Sequence, residues 1–393
     1  MNPNERIVIV GGGPGGLSTA RAYREAGGRG EVILLSAESY LPYERPPLTK
    51  EFLRGEVERD ELPMQDAAWF EENNIEARLA TTVNGLDRER RVLETEDGDV
   101  PYDACVLATG SEPIRIPVPG GDDPEILVMR TIENSERLKS RVGKGSTVVV
   151  VGSGFIGCEA TVSLSMRGAR VTLVSQEEGP QEQRLGEDVA QRIEGWLYGY
   201  GVDLRLGTNV EGIERRDGGF EVAVGGGETI SAGTVLFGTG VSPRTRLAEE
   251  AGLEIEEGGV VTDSSMHTSA PGIFAVGDIA YAMNESAGRR QKVEHWGDAL
   301  THGRIAGTVL AGGEASWDSA PGFWSVMGEK TLKYWAWSGG WDEAKFVDKD
   351  GPNGEAFTVW YGKECVCVGV LAHNVDEDYN NGRELVEQKF PLP

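Results

Sequence analysis

At 393 residues, with 39% apolar and 26% charged side chains, the chain has a globular composition and length enough for two or three hydrophobic cores. A net charge of −26 argues against nucleic acid or an anionic membrane as partner. No apolar run nears the roughly 20 residues of a membrane span, Met1 to Arg6 carry no signal-peptide pattern, and four cysteines make no disulfide scaffold, so a cytoplasmic protein is expected.

The chain opens on Ile7-Val8-Ile9-Val10, four β-favouring residues that run into Gly11-Gly12-Gly13-Pro14-Gly15-Gly16, and Leu17 to Tyr23 continue as a helix. Gly11, Gly13 and Gly16 take the G-x-G-x-x-G spacing of a dinucleotide-binding strand, turn and helix. Gly11 makes the turn, Gly13 lets the backbone approach a pyrophosphate, and Gly16 lets helix and strand pack closely. The helix N-terminus then presents unpaired N–H groups to the phosphates. A glycine-rich turn without a ligand has the same local pattern. A strand Val32–Leu35 follows, and the unit closes on Val106-Leu107-Ala108-Thr109-Gly110.

The pattern then repeats. Thr147 to Val151 run into Gly152, Gly154 and Gly157 at the same spacing, with Ile156 between them, and Cys158 to Leu164 continue as a helix. This second unit closes on Val235 to Gly240. Two matched units imply two dinucleotides. Arg91–Thr95 and Phe220–Val224 read as short strands at turn-rich spacing. Pro113 to Pro119, punctuated by prolines, is a candidate boundary. Ile273 to Val276 form one more apolar strand, ending in Gly277-Asp278. From about Trp317 the composition shifts: six of nine tryptophans lie between Trp296 and Trp341, and Phe357-Thr358-Val359-Trp360-Tyr361 alternates like a strand. The expected fold is α/β, with two Rossmann-like dinucleotide-binding domains and a small C-terminal α+β domain. The expected boundaries are 1–115 with 246–316, 116–245, and 317–393.

Together these motifs resemble the two-dinucleotide flavoprotein reductases, above all the FAD-dependent NAD(P)H reductases that feed ferredoxins and rubredoxins in oxygenase systems. The most specific piece is Pro42-Tyr43-Glu44-Arg45-Pro46-Pro47-Leu48-Thr49-Lys50, similar to that subfamily's P-Y-[DE]-R-P-P-L-S-K segment. The resemblance implies FAD, with NADH or NADPH as electron donor. It places Arg45 toward the FAD pyrophosphate, Lys50 beside the isoalloxazine, Asp278 on the ribitol and Glu38 on the adenosine ribose, with Ala108, Thr109, Gly110 and Arg115 also at FAD. Gly152, Gly154, Ile156, Gly157 and Gly240 would surround NAD(P)H. Glu159 would stand near the nicotinamide, and a Lys50–Glu159 pair is physically coherent because a buried carboxylate is costly unless paired. Glu294, His295, Trp296 and Trp324 match segments that bring aromatics beside the flavin, and Lys50, Glu159 and Trp324 are the expected catalytic positions.

One departure concerns the coenzyme. NADH-specific relatives end the second strand of this unit with an acid, where this chain has Ser175, followed by Gln176-Glu177-Glu178. Arg184 is the only cation in range for a 2′-phosphate, and the two glutamates would repel one, so NADH is favoured. The cysteines bear on the subclass: residues 17–104 hold none, and Cys105, Cys158, Cys365 and Cys367 read as structural. Electrons should therefore leave the flavin directly, to a ferredoxin- or rubredoxin-type carrier, with Arg289, Arg290 and Lys292, together with Lys330 and Lys333, as the candidate docking cations. The same resemblance admits reductases of a small acceptor such as a quinone or monodehydroascorbate, and an apoptosis-inducing-factor-like NADH-binding protein. No metal spacing is visible among the histidines, and a monomer or homodimer is expected.

Overall fold

The computed structural model describes residues 5–351 and 355–393; Met1 to Asn4, on which the leader-peptide expectation partly rests, lie outside them. The glycine-bounded apolar runs form two five-stranded parallel sheets of one plan. In the first, Ile273–Ala275, Ala104–Leu107, Arg6–Val10, Glu31–Leu35 and Ile75–Arg78 lie side by side. In the second the order is Leu127–Val128, Thr234–Phe237, Thr147–Val151, Arg170–Val174 and Asp203–Arg205. The fingerprint strand is central in both, flanked by its closing strand and by the second strand of the unit. Near-continuous Val, Ile and Leu suits strands buried on both faces.

Between the units run two antiparallel segments, Ser111–Pro113 and Val241–Pro243, which pair with each other. Chain passes between the units at these two points. Small three-stranded antiparallel sheets, Val83–Asp87 with Val92–Thr95 and Gly98–Pro101, and Val210–Arg216 with Gly219–Val224 and Glu228–Ala232, account for the turn-rich stretches. The tryptophan-rich tail folds as a five-stranded antiparallel sheet in the order Gly322–Met327, Lys330–Ala336, Val366–His373, Ala356–Lys363 and Glu343–Lys349. The helix Asp376–Glu387 follows it.

Each fingerprint helix is pressed against its own turn. A Cβ at Gly16 would stand 2.1 Å from the Gly11 carbonyl oxygen, and one at Gly157 2.0 Å from that of Gly152. Both contacts are to backbone, which cannot rotate away. Gly16→Ala should therefore cost about 1–3 kcal/mol of stability by forcing helix from strand, seen as a lower urea midpoint at unchanged slope.

Candidate active site

One cavity of about 1370 Å³ runs between the two units and the tail sheet. A drug-sized ligand fills roughly 300–1,000 Å³, so there is room for two dinucleotides. Its wall includes Gly11, Gly13, Pro14, Glu38, Arg45, Lys50, Ala108, Thr109, Gly110, Gly277 and Asp278 from the first unit. Gly154, Ile156, Glu159 and Gly240 come from the second, and Glu294, His295, Trp296 and Trp324 complete the set of expected positions that reach it. Gly16, Gly152 and Gly157 lie beneath the turns rather than on the wall, which is what packing of helix on strand requires. Nothing lies within 4 Å of the place a Gly13 Cβ would take, and the space at Gly154 is nearly as open. Both turns thus leave their backbone free for close approach by a phosphate.

At the first turn, the Arg45 guanidinium donates to Glu38 Oε1 at 2.6 Å and to the Arg130 carbonyl at 2.7 Å, while Tyr43 donates to Glu38 Oε2 at 2.5 Å. Burial outweighs the nearby arginine and pushes the Tyr43 hydroxyl well up, so it stays a donor. Asp278 receives Ser111 Oγ at 3.0 Å and Arg130 Nη2 at 2.9 Å, both on Oδ2. Arg130, which the sequence did not single out, thus bridges the two acids' surroundings. Its only local signal is the capping box Thr131-Ile132-Glu133-Asn134, which starts a helix just behind it.

The floor is the Lys50–Glu159 pair. Lys50 Nζ lies 2.9 Å from Glu159 Oε2, and both side chains are only 7% exposed. Desolvating two ions costs several kcal/mol each unless their remaining lone pairs and protons are satisfied. Here Thr49 Oγ1 donates to the same oxygen at 2.5 Å, and Ser325 Oγ and the Val326 N–H donate to Oε1 at 2.8 and 3.2 Å. Four donors come from both ends of the chain. The prolines of Arg45-Pro46-Pro47-Leu48-Thr49-Lys50 fix the short 3-10 turn that aims Thr49 and Lys50 inward. Thr49 and Ser325 sat unremarked inside recognised segments, because no local pattern says where a hydroxyl will point.

Above this floor the tail supplies aromatics. Phe323 packs on Phe155 at 4.4 Å, His295 at 4.9 Å and Tyr334 at 5.0 Å between ring centroids, and Trp337 and Trp341 also line the wall. Burial holds His295 down at about 4, so its ring is neutral. Trp324 is 45% exposed at the cavity wall.

Besides the three packing glycines, two expected cofactor contacts, Arg115 and Ser175, are not at the cavity. Arg115 turns away and spends its guanidinium on the carbonyls of Asp123 at 3.1 Å and Ile126 at 2.8 Å, tying down the crossover. Its place off the cavity wall, not its charge, removes it from the phosphates. Ser175 is buried, with its hydroxyl 2.7 Å from that of Ser153. In its place Glu177 reaches the wall, and burial raises its pKa.

Comparison with known proteins agrees with this geometry. The model of the pyridine nucleotide-disulphide oxidoreductase family matches residues 5–303. The chain belongs to this family. It is 32% identical to a rubredoxin-NAD(+) reductase of Ectopseudomonas oleovorans, over 82% of this chain and 84% of that protein. It is 29% identical to the putidaredoxin reductase of Pseudomonas putida, covering 100% and 94% of the two chains. Among solved structures it matches a covalent putidaredoxin reductase–putidaredoxin complex at 29% identity and a TM-score of 0.92, over 99% of this chain and 94% of that one.

Despite the family's title, no cysteine lines the cavity. Cys105, Cys158 and Cys367 are buried, and burial raises all three thiols, Cys105 to about 12 and Cys367 to about 11. Such thiols are not nucleophiles. Among the described residues no cluster of metal ligands is present and no helix is long and apolar enough to cross a membrane.

Two outcomes are expected. Glu159→Ala should lower stability by about 3–5 kcal/mol in denaturant titration, because Lys50 then stays buried without its partner. Asp298, on the helix that follows His295, is raised by burial from an ordinary 3.8 to about 8, against the weaker pull of the Gly322 N–H and Arg383. The folded state therefore holds a proton the unfolded state gives up, and stability should fall as pH rises from about 4 to about 8. In Asp298→Asn that alkaline loss should flatten in unfolding curves taken across the range.

Proposed function

We propose that the chain is an FAD-dependent NAD(P)H reductase that delivers single electrons to a ferredoxin- or rubredoxin-type iron–sulfur protein. The observation that carries this is the junction of two open glycine turns at one cavity, floored by Lys50–Glu159 and lined by no thiol. Rubredoxin and putidaredoxin in the relatives' names supply the acceptor class. The residues suit FAD: Gly13 and Arg45 would hold its pyrophosphate, Glu38 its adenosine ribose and Asp278 its ribitol. NAD(P)H would lie along Gly154, Ile156 and Gly240, and Trp296 and His295 would wall the ring.

Bound FAD supplies the two-electron to one-electron conversion. The chain's own part is alignment and field. Lys50 offers a fixed positive charge, and Glu159 keeps that charge in place without reorganisation when negative charge develops nearby. The aromatic wall keeps water off. His295, being neutral, adds no competing charge at neutral pH.

An acidic carrier needs a cationic face. Lys330 and Lys333 do not provide it, since Glu355 and Asp376 neutralise them at 2.6 Å each. Arg289 and Arg290 are exposed, with no carboxylate partner among the described residues, and Arg289 lies over Gly339 at the cavity rim. Charge reversal of both (R289E with R290E) should raise the KM for an acidic ferredoxin by about tenfold at low salt, less at high salt. NADH-dependent reduction of ferricyanide should be unchanged. A ferredoxin-coupled rate equal to that of the unaltered protein would remove this face from the mechanism.

A further inference from the structure

We propose that Asp298 is a charge switch that sets how readily the bound flavin is reduced. Neutral, it leaves the positive end of a helix turned on the cavity; ionised, it cancels that end and disfavours reduction. The inference rests on FAD occupying the first unit, as set out above. The helix is Trp296–Leu310, and its first two residues, Trp296 and Gly297, stand on the cavity wall. The opening N–H groups of a helix have no partner within it and carry positive partial charge. His295, at the cap, gives them no side-chain bond. That end is therefore unspent, and it faces the ring that His295 and Trp296 would wall.

Asp298 is the third residue of this helix, two positions from the wall. An acid at that place commonly reaches back to the cap N–H. Here it turns inward, off the cavity wall and only 4% exposed. The Gly322 N–H is directed at its carboxyl, while Oδ2 is cut off from solvent with no hydrogen-bond partner among the described residues. The Trp335 ring covers Gly322, 2.0 Å from where a Cβ would stand, and its Nε1 is equally unpaired. Tyr379 stacks on that ring at 5.3 Å, and the Arg383 guanidinium lies 4.9 Å from its centroid. The carboxyl is thus sealed under an aromatic slab.

The ionisable neighbours leave the switching to Asp298. His295 and His302, on the same helix, are both held by burial at about 4 and stay neutral. Burial pushes the Tyr379 hydroxyl up to about 12. Asp298, raised by burial to about 8, changes charge between those limits. Arg383 favours its ionised form, and Asp278, paired with Arg130 at 2.9 Å, opposes it. A hydride from NAD(P)H brings two electrons and one proton to the cavity and leaves net negative charge there. An ionised Asp298 then takes one proton from solvent, so near its pKa two protons rather than one accompany each electron pair.

The test is spectroelectrochemical titration of the purified flavoprotein with redox mediators, from about pH 6 to about pH 10. The midpoint potential of the unaltered protein should fall more steeply around the Asp298 pKa than on either side. Asp298→Asn keeps the shape without the charge, so its potential should match at the acid end and fall with one unbroken slope. At the alkaline end its equilibrium with a reference dye should favour the reduced flavin about tenfold more, as a partly buried charge at a helix end warrants. Arg383→Gln removes the cation that favours the ion and should move the steep segment to higher pH. One slope shared by the unaltered protein and Asp298→Asn, or a steep segment unmoved in Arg383→Gln, would overturn the switch. A purified protein without flavin would instead overturn the FAD assignment on which it rests.

Discussion

The carboxylate of Glu159 is where the three parts of the molecule are fastened together. It belongs to the helix of the second glycine turn, yet its partners are Thr49 and Lys50 from the first unit and Ser325 and Val326 from the tail sheet. An ion this deep is tolerable only when every lone pair is used. That requirement constrains the relative placement of all three parts, because displacing any one would orphan a donor or a charge. The cavity inherits its shape from this constraint. Both open turns face it, and Lys50 is held on its wall.

The duplicated unit explains why such a junction is possible. The same strand order occurs twice, and each copy leaves a bare backbone turn at the carboxyl end of its central strand, where ligands bind in open parallel sheets. The copies are not equivalent. The first surrounds its turn with Arg45, Arg130, Glu38 and Asp278 in a bonded network that spans the entry of the crossover. The second has fewer fixed charges, with Arg184 on an aromatic face.

Much of this was legible in the sequence because it is local. Glycine spacing after an apolar run specifies a turn and its close packing, so both fingerprints and both closing strands could be read directly. Arg45, Lys50 and Asp278 stood in segments with a strong resemblance to known ones, and the same resemblance implied the Lys50–Glu159 pair, which the cost of burying an unpaired acid made coherent. What escaped depends on contacts far apart in the chain. Ser325 lies 166 positions from Glu159, and Arg130 lies 148 from Asp278. Arg115 and Ser175 were misplaced for a related reason: position on a motif does not say whether a side chain is already consumed by neighbours. Lys330 and Lys333 are neutralised by Glu355 and Asp376 on other stretches of chain, which no local charge pattern announces.

The central claim is that Lys50, held by Glu159, supplies the fixed charge at which the donor and the flavin meet. Anaerobic single-turnover mixing of the purified protein with NADH, followed through the visible flavin band, tests it most directly. A yellow protein that bleaches at one equivalent of NADH is expected, and in Lys50→Ala a bleaching rate lower by about tenfold or more with flavin still bound. A colourless protein, or equal rates in the two proteins, would contradict it.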